Sequence, residues 1–140
     1  MSLRPAERGS AIVEFHFLGL LLLVPLVYVL LAVLDVQRAS YGVTQAAREA
    51  GLIFVATGNE EAARLAAQVA LADQSLPADG AEISIQCSAA PCYQPGVQVT
   101  VTVGSTVRLP FVPEVLASVV NAEIPVDATH ASVVDRFRAL

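Results

Sequence analysis

Residues 7–35 read ERGSAIVEFHFLGLLLLVPLVYVLLAVLD, and from Phe17 to Leu34 they hold 18 consecutive residues without a charge. Coiled as a helix, that run is about 27 Å long, close to the thickness of the hydrocarbon core of a bilayer. Arg4 and Arg8 precede it and Asp35 is the first charge after it. By the positive-inside bias, the N-terminus lies in the cytoplasm and everything beyond Asp35 outside. A cleaved secretory signal fits less well: the apolar core is too long, no A-x-A closes it, and Ser40-Tyr41-Gly42 is the nearest weak site. The run is therefore expected to be a retained anchor.

Working outward, the 140-residue chain is 55% hydrophobic and 15% charged, too apolar for disorder, and what remains beyond the anchor is enough for one small domain. From Asp35 onward there are eleven carboxylates against six arginines, a net charge of −5, which argues against a nucleic-acid partner. The chain contains no lysine, so Schiff-base chemistry and a P-loop lysine are excluded.

Glu14 is the anomaly. A carboxylate in a membrane helix costs about 2.5–3.5 kcal/mol near the centre, less near an edge, and usually has a partner or a task. His16 is two positions on and faces elsewhere, because helix neighbours lie three and four residues apart. Residence of Glu14 and His16 in the wet headgroup zone is the plain alternative.

The residues around it carry a resemblance. Gly9-Ser10-Ala11-Ile12-Val13-Glu14-Phe15, preceded by a short basic leader, resembles the processing site of type IV pilins, a glycine followed five residues later by glutamate and then an aromatic. The fuller pattern, RGSAIVEF, then the apolar run, then RASYGVTQAAREAG at 38–51, is similar to the TadE-like minor pseudopilins of tight-adherence (Flp-type) pili. The likeness is specific over about residues 8–55. It implies that a prepilin peptidase cuts after Gly9, that Ser10 becomes the first mature residue, and that Glu14 is the charged group used in assembly. It further implies other pilins or pseudopilins, an inner-membrane assembly platform and membrane lipid as partners, with no cofactor.

Physical chemistry makes sense of such a cut. Before it, the Ser10 nitrogen is an amide and offers Glu14 no charge; after it, the nitrogen is an ammonium that titrates near pH 8 when unperturbed. One subunit's carboxylate could then meet its neighbour's ammonium in an apolar bundle, where an unpaired charge is costly. Cleavage also removes Arg4 and Arg8, which resist withdrawal of the helix through the membrane.

Beyond Asp35 the helix is expected to continue, since Val36, Ala39, Val43, Ala46, Ala50 and Ile53 recur at three- and four-residue steps. This alanine-rich stripe suits packing on the chain's own sheet or, alternatively, a subunit contact. Thr57 and Glu60 have capping-box spacing, and Asn59 is an equally good N-cap. A second helix, about Glu60 to Gln74, should carry a Glu60–Arg64 pair and an apolar face through Ala62, Leu65, Val69 and Ala72, ending before Pro77 and Gly80. Alternation at Ile83 and Ile85, and again at Val97, Val99, Val101 and Val103, predicts two antiparallel strands joined across Cys87 to Gly96. Gly104 suggests a bulge before Thr106–Leu109, Pro113 a short helix over 113–120, and Ile124–Val134 a last strand. The expected fold is α+β and pilin-like: leader 1–9, membrane and assembly helix 10–34, and an extracytoplasmic domain 35–140 with a second helix and a small antiparallel sheet.

Cys87 and Cys92, the only cysteines, flank SAAP; outside the membrane a local disulfide is favoured over free thiols. With only distant His130 to add, they make a poor zinc site, and no metal is expected. Asp127, His130 and Ser132 have the residue types of a hydrolase triad, but on an alternating strand Asp127 points away from His130, and no nucleophile elbow is present. VVDRFRAL at the C-terminus is short, charged and amphipathic and should finish the last strand or fray; a docking tail is the alternative, without support in the sequence. The chain is thus expected to be a structural, non-enzymatic pseudopilin. Its competitors are a permanently anchored module that binds an envelope ligand or protein, and a secreted domain released near Gly42.

Overall fold

The computed structural model describes residues 10–110, 112 and 122–137. The elements run α1 (Ser10–Thr57), α2 (Glu60–Asp73), β1 (Glu82–Cys87), β2 (Gln98–Arg108) and β3 (Glu123–Val133). Two units divide between Leu34 and Asp35. The first is a bare helix whose Ile, Val, Leu and Phe side chains, from Ile12 to Leu34, are 41–75% exposed, with Tyr28 less so. By length and composition it is able to cross a membrane. A helix meets its backbone hydrogen-bonding needs internally, as lipid requires. Pro25 is the exception, since it lacks the N–H that would bond the Leu21 carbonyl.

In the second unit, α1 presents the expected stripe. Ala39, Val43, Ala46 and Ala50 are fully buried, joined by Ala47 and Phe54, in one cluster with the valines of the sheet. Val36 and Ile53 lie at its margin. Small residues let the helix come close: a Cβ added to Gly51 would stand 3.0 Å from Ser132 Oγ and 3.3 Å from His130 Cδ2. The stripe therefore packs on this chain's own sheet.

Gly58, at φ +68°, turns the chain, and Asn59 begins α2 by accepting a hydrogen bond from the Ala62 amide at 3.1 Å. The far end is a Schellman motif: the Leu76 amide donates to Leu71 O at 3.0 Å and the Ser75 amide to Ala72 O at 2.8 Å. Buried Leu71 and Leu76 close it. The helix thus stops at Asp73, ahead of Pro77, at a residue with a side chain where glycine is usual: Ser75 has φ +56°. Ser75→Gly is expected to raise stability by about 0.5–1 kcal/mol, read from chemical denaturation of the full chain in detergent.

The face of α2 differs from expectation. Ala63, Ala67, Ala70 and Leu71 are buried, whereas Leu65 and Val69 stand out in solvent. Arg64 explains the rotation. It holds Glu60 at 2.7 Å, as its spacing predicts, and also donates from Nη1 to the Ile83 carbonyl at 2.6 Å, tying α2 to strand β1.

The sheet is antiparallel in the order β1-β2-β3. Val99, Val101, Val103 and Val107 face inward and alternate with less buried neighbours. The expected bulge at Gly104 is absent: Gly104 pairs with Glu82 on one side and Asp127 on the other, and β2 runs unbroken to Arg108. Strand register costs less than a bulge when both neighbours continue the ladder. Arg108 and Glu123, opposite each other, form an ion pair at 3.1 Å. The helix expected over 113–120 lies outside the described residues.

Candidate functional site

Gly9 lies outside the described residues, and Ser10 is the first residue of α1. Glu14 follows one helical turn later, on nearly the same face, about 6 Å along the axis. Its positions at three and four residues, Ala11, Phe17 and Leu18 among them, offer no charge. Among the described residues Glu14 is exposed and has neither ion pair nor hydrogen bond. His16 is occupied elsewhere: its Nδ1 lies 2.9 Å from Ile12 O, and its ring meets Phe15 edge-on with centroids 6.0 Å apart. The structure therefore does not bring His16 to Glu14. What remains is a carboxyl group on bare hydrocarbon with no partner among the described residues, open to a group from another molecule.

Cys87 and Cys92 form a disulfide with their Cα atoms 5.4 Å apart. They close the start of the β1–β2 loop, which folds back on the α1–α2 turn. There the Tyr93 ring packs on Gly58, and its hydroxyl donates to Ala56 O at 3.4 Å. Intact-mass analysis of protein purified from its own cell is expected to show both thiols oxidised, and Cys87→Ser with Cys92→Ser to cost less than about 3 kcal/mol, since so small a ring constrains the unfolded chain little.

Asp127 lies on the open face of β3, and His130 and Ser132 on the face toward α1, where both contact Gly51. These three residues are not assembled for catalysis; the last two are packing partners of a helix glycine. Among the described residues no group of three His, Cys, Asp or Glu side chains is placed to hold a metal ion.

A second feature escaped sequence reasoning. Gln45, Glu49, Ile53 and Thr57 of α1 and Ala62, Leu65, Val69 and Asp73 of α2 line an open groove on the side away from the core. The sign of it in the sequence is that α2 has apolar residues on two sides, more than one core face needs.

Fold and site together define a protein with one helix fit to span a membrane and a small α+β domain. Comparison with protein-family models, curated proteins and solved structures finds no match.

Proposed function

We propose that the protein is a minor pseudopilin of a tight-adherence pilus or related secretion apparatus: structural and non-enzymatic, inserted with its N-terminus in the cytoplasm, and cut after Gly9 by a prepilin peptidase. The observation that carries this is the unpartnered Glu14 carboxylate on an exposed apolar helix, one turn from Ser10. A charge so placed is costly alone and stable when paired. Cleavage supplies the pair, a neighbour's Ser10 ammonium, and deletes Arg4 and Arg8, the charges that hold the helix in place. The domain from Asp35 onward is then carried outside the membrane and presented to other pilins and to the assembly platform.

The N-terminal residue and mass of protein purified from its own cell test this directly. The expected chain begins at Ser10. A chain beginning at Met1 or Ser2 would indicate a permanently anchored binding module, a reading to which the groove between α1 and α2 lends support. Release near Gly42 is disfavoured, because Gly42 and Val43 are buried within α1 and Gly42 packs against Leu76 and Gln74.

A further inference from the structure

The outer side of α2 is uncovered hydrocarbon: Leu65 is 60% and Val69 53% exposed, while the opposite side is buried. With Ile53 of α1 they floor the groove. The charged side chains lining it are Glu49 and Asp73, with no cation among the lining residues. Glu49 accepts from Gln45 Nε2 at 2.7 Å, which supplies no counter-charge, and neither carboxylate is ion-paired among the described residues. An occupant must therefore bring hydrocarbon and positive charge together. Two copies meeting groove to groove would set four carboxylates against one another, and like charges so juxtaposed cost several kcal/mol.

The chain itself carries the complement. After β3, Val134 is fastened by its amide to Val97 O at 3.0 Å and by its carbonyl to the Gly96 amide at 2.9 Å. Asp135 then accepts from the Phe137 amide at 2.9 Å, an Asx turn that holds Arg136 and Phe137 as a hook. Phe137 is 96% exposed, the barest large apolar side chain among the described residues. Arg38, Arg64 and Arg108 each hold a carboxylate, whereas Arg48, out on α1, and Arg136, beside the bare Phe137 ring, hold none among the described residues.

Position agrees with chemistry. Arg136 packs beside Gly96, and Tyr93, three residues earlier in that loop, packs on Gly58 at the α1–α2 turn. The loop that carries Gly96 thus reaches the end of the domain where Thr57 and Ala62 line the groove. We propose that the Arg136–Phe137 hook of one copy docks in the α1–α2 groove of a second copy, the ring on Ile53, Leu65 and Val69 and the guanidinium toward Glu49 and Asp73. Because the two surfaces differ, the interface is heterologous and repeats from copy to copy. It does not depend on cleavage at Gly9.

The test coexpresses full-length Leu65→Cys and Phe137→Cys chains, one of them tagged, oxidises isolated membranes, and maps the disulfides by mass spectrometry. A link between positions 65 and 137 of different chains is expected at least tenfold above 65–65 or 137–137 links. Adding Arg136→Glu should lower it at least fivefold, and Asp73→Arg in the other chain should restore it. Predominant like-to-like links would overturn the proposal in favour of a symmetric interface. In a single chain that carries both Leu65→Cys and Phe137→Cys, a predominant 65–137 link within that chain would mean that the hook closes on its own groove and would overturn docking on a second copy. Because both cysteines replace contact residues, absence of a 65–137 link counts together with copurification: no link, with the native Cys87–Cys92 disulfide intact and Phe137→Ala chains copurifying with tagged wild type as fully as wild-type chains do, would leave the groove to a different partner and equally end it.

Discussion

Glu14→Gln is expected to leave the protein in its membrane and to remove it from assemblies. Glutamine keeps the shape and sheds the charge, so transfer into lipid becomes easier and alkaline-resistant membrane association should be unchanged. Assembly is another matter. In the proposed bundle the neighbour's Ser10 ammonium would be left without a counter-ion, at a cost of up to about 2.5–3.5 kcal/mol per subunit pair. At 1.4 kcal/mol per tenfold, that weakens association about a hundredfold for every carboxylate–ammonium pair removed. Glu14→Asp, one methylene shorter, should retain part of the effect. The quantities to compare are the variant recovered in sheared filaments or cross-linked oligomers and that in the alkaline-washed membrane. Wild-type levels of the glutamine variant in filaments would show that the carboxylate has no part in assembly.

The sequence is most legible where one periodicity has one explanation. The three-four spacing of Ala39, Val43, Ala46 and Ala50 and the alternation of Val99, Val101 and Val103 both arise from a single buried face, and both are buried as expected. Where an element has apolar residues on two sides, spacing does not say which side is inside. Leu65 and Val69 outweigh Ala63, Ala67 and Ala70 in hydrophobicity, yet the alanines are buried, because a close approach rewards small side chains and Arg64 must reach Ile83 O. Gly104 misleads for a related reason: a strand absorbs one glycine without a bulge when both neighbours pair across it. The hook falls in a stretch that reads first as the end of a strand and only secondarily as a docking tail, because its exposure follows from an Asx turn after Val134, which no periodicity marks. Glu14 is legible only as a misfit, since nothing in its own chain completes it.

The alanine stripe allows a strong test of which surfaces belong to the monomer. Ala46, Ala47 and Ala50 are each 0% exposed, and at neighbouring Gly51 even an added Cβ would stand only 3.0 Å from Ser132 Oγ and 3.3 Å from His130 Cδ2. Ala50→Leu adds three carbons where there is no space, and cores overfilled in this way are destabilised by about 1–3 kcal/mol. Here the helix cannot retreat without uncovering Val99 and Val101, so the upper end, about 3 kcal/mol, is expected. For a domain of this size that lowers the melting temperature by roughly 15 °C. Melting of the full chain in detergent, followed by circular dichroism, measures it. Leu65→Ala on the exposed groove should move the same transition by no more than about 0.5 kcal/mol. The opposite pattern, an unchanged melt for Ala50→Leu with loss of oligomers, would assign the stripe to a subunit interface. The expected pattern leaves assembly to surfaces that the monomer keeps bare, because a face already closed against its own sheet has no area left to offer a neighbour.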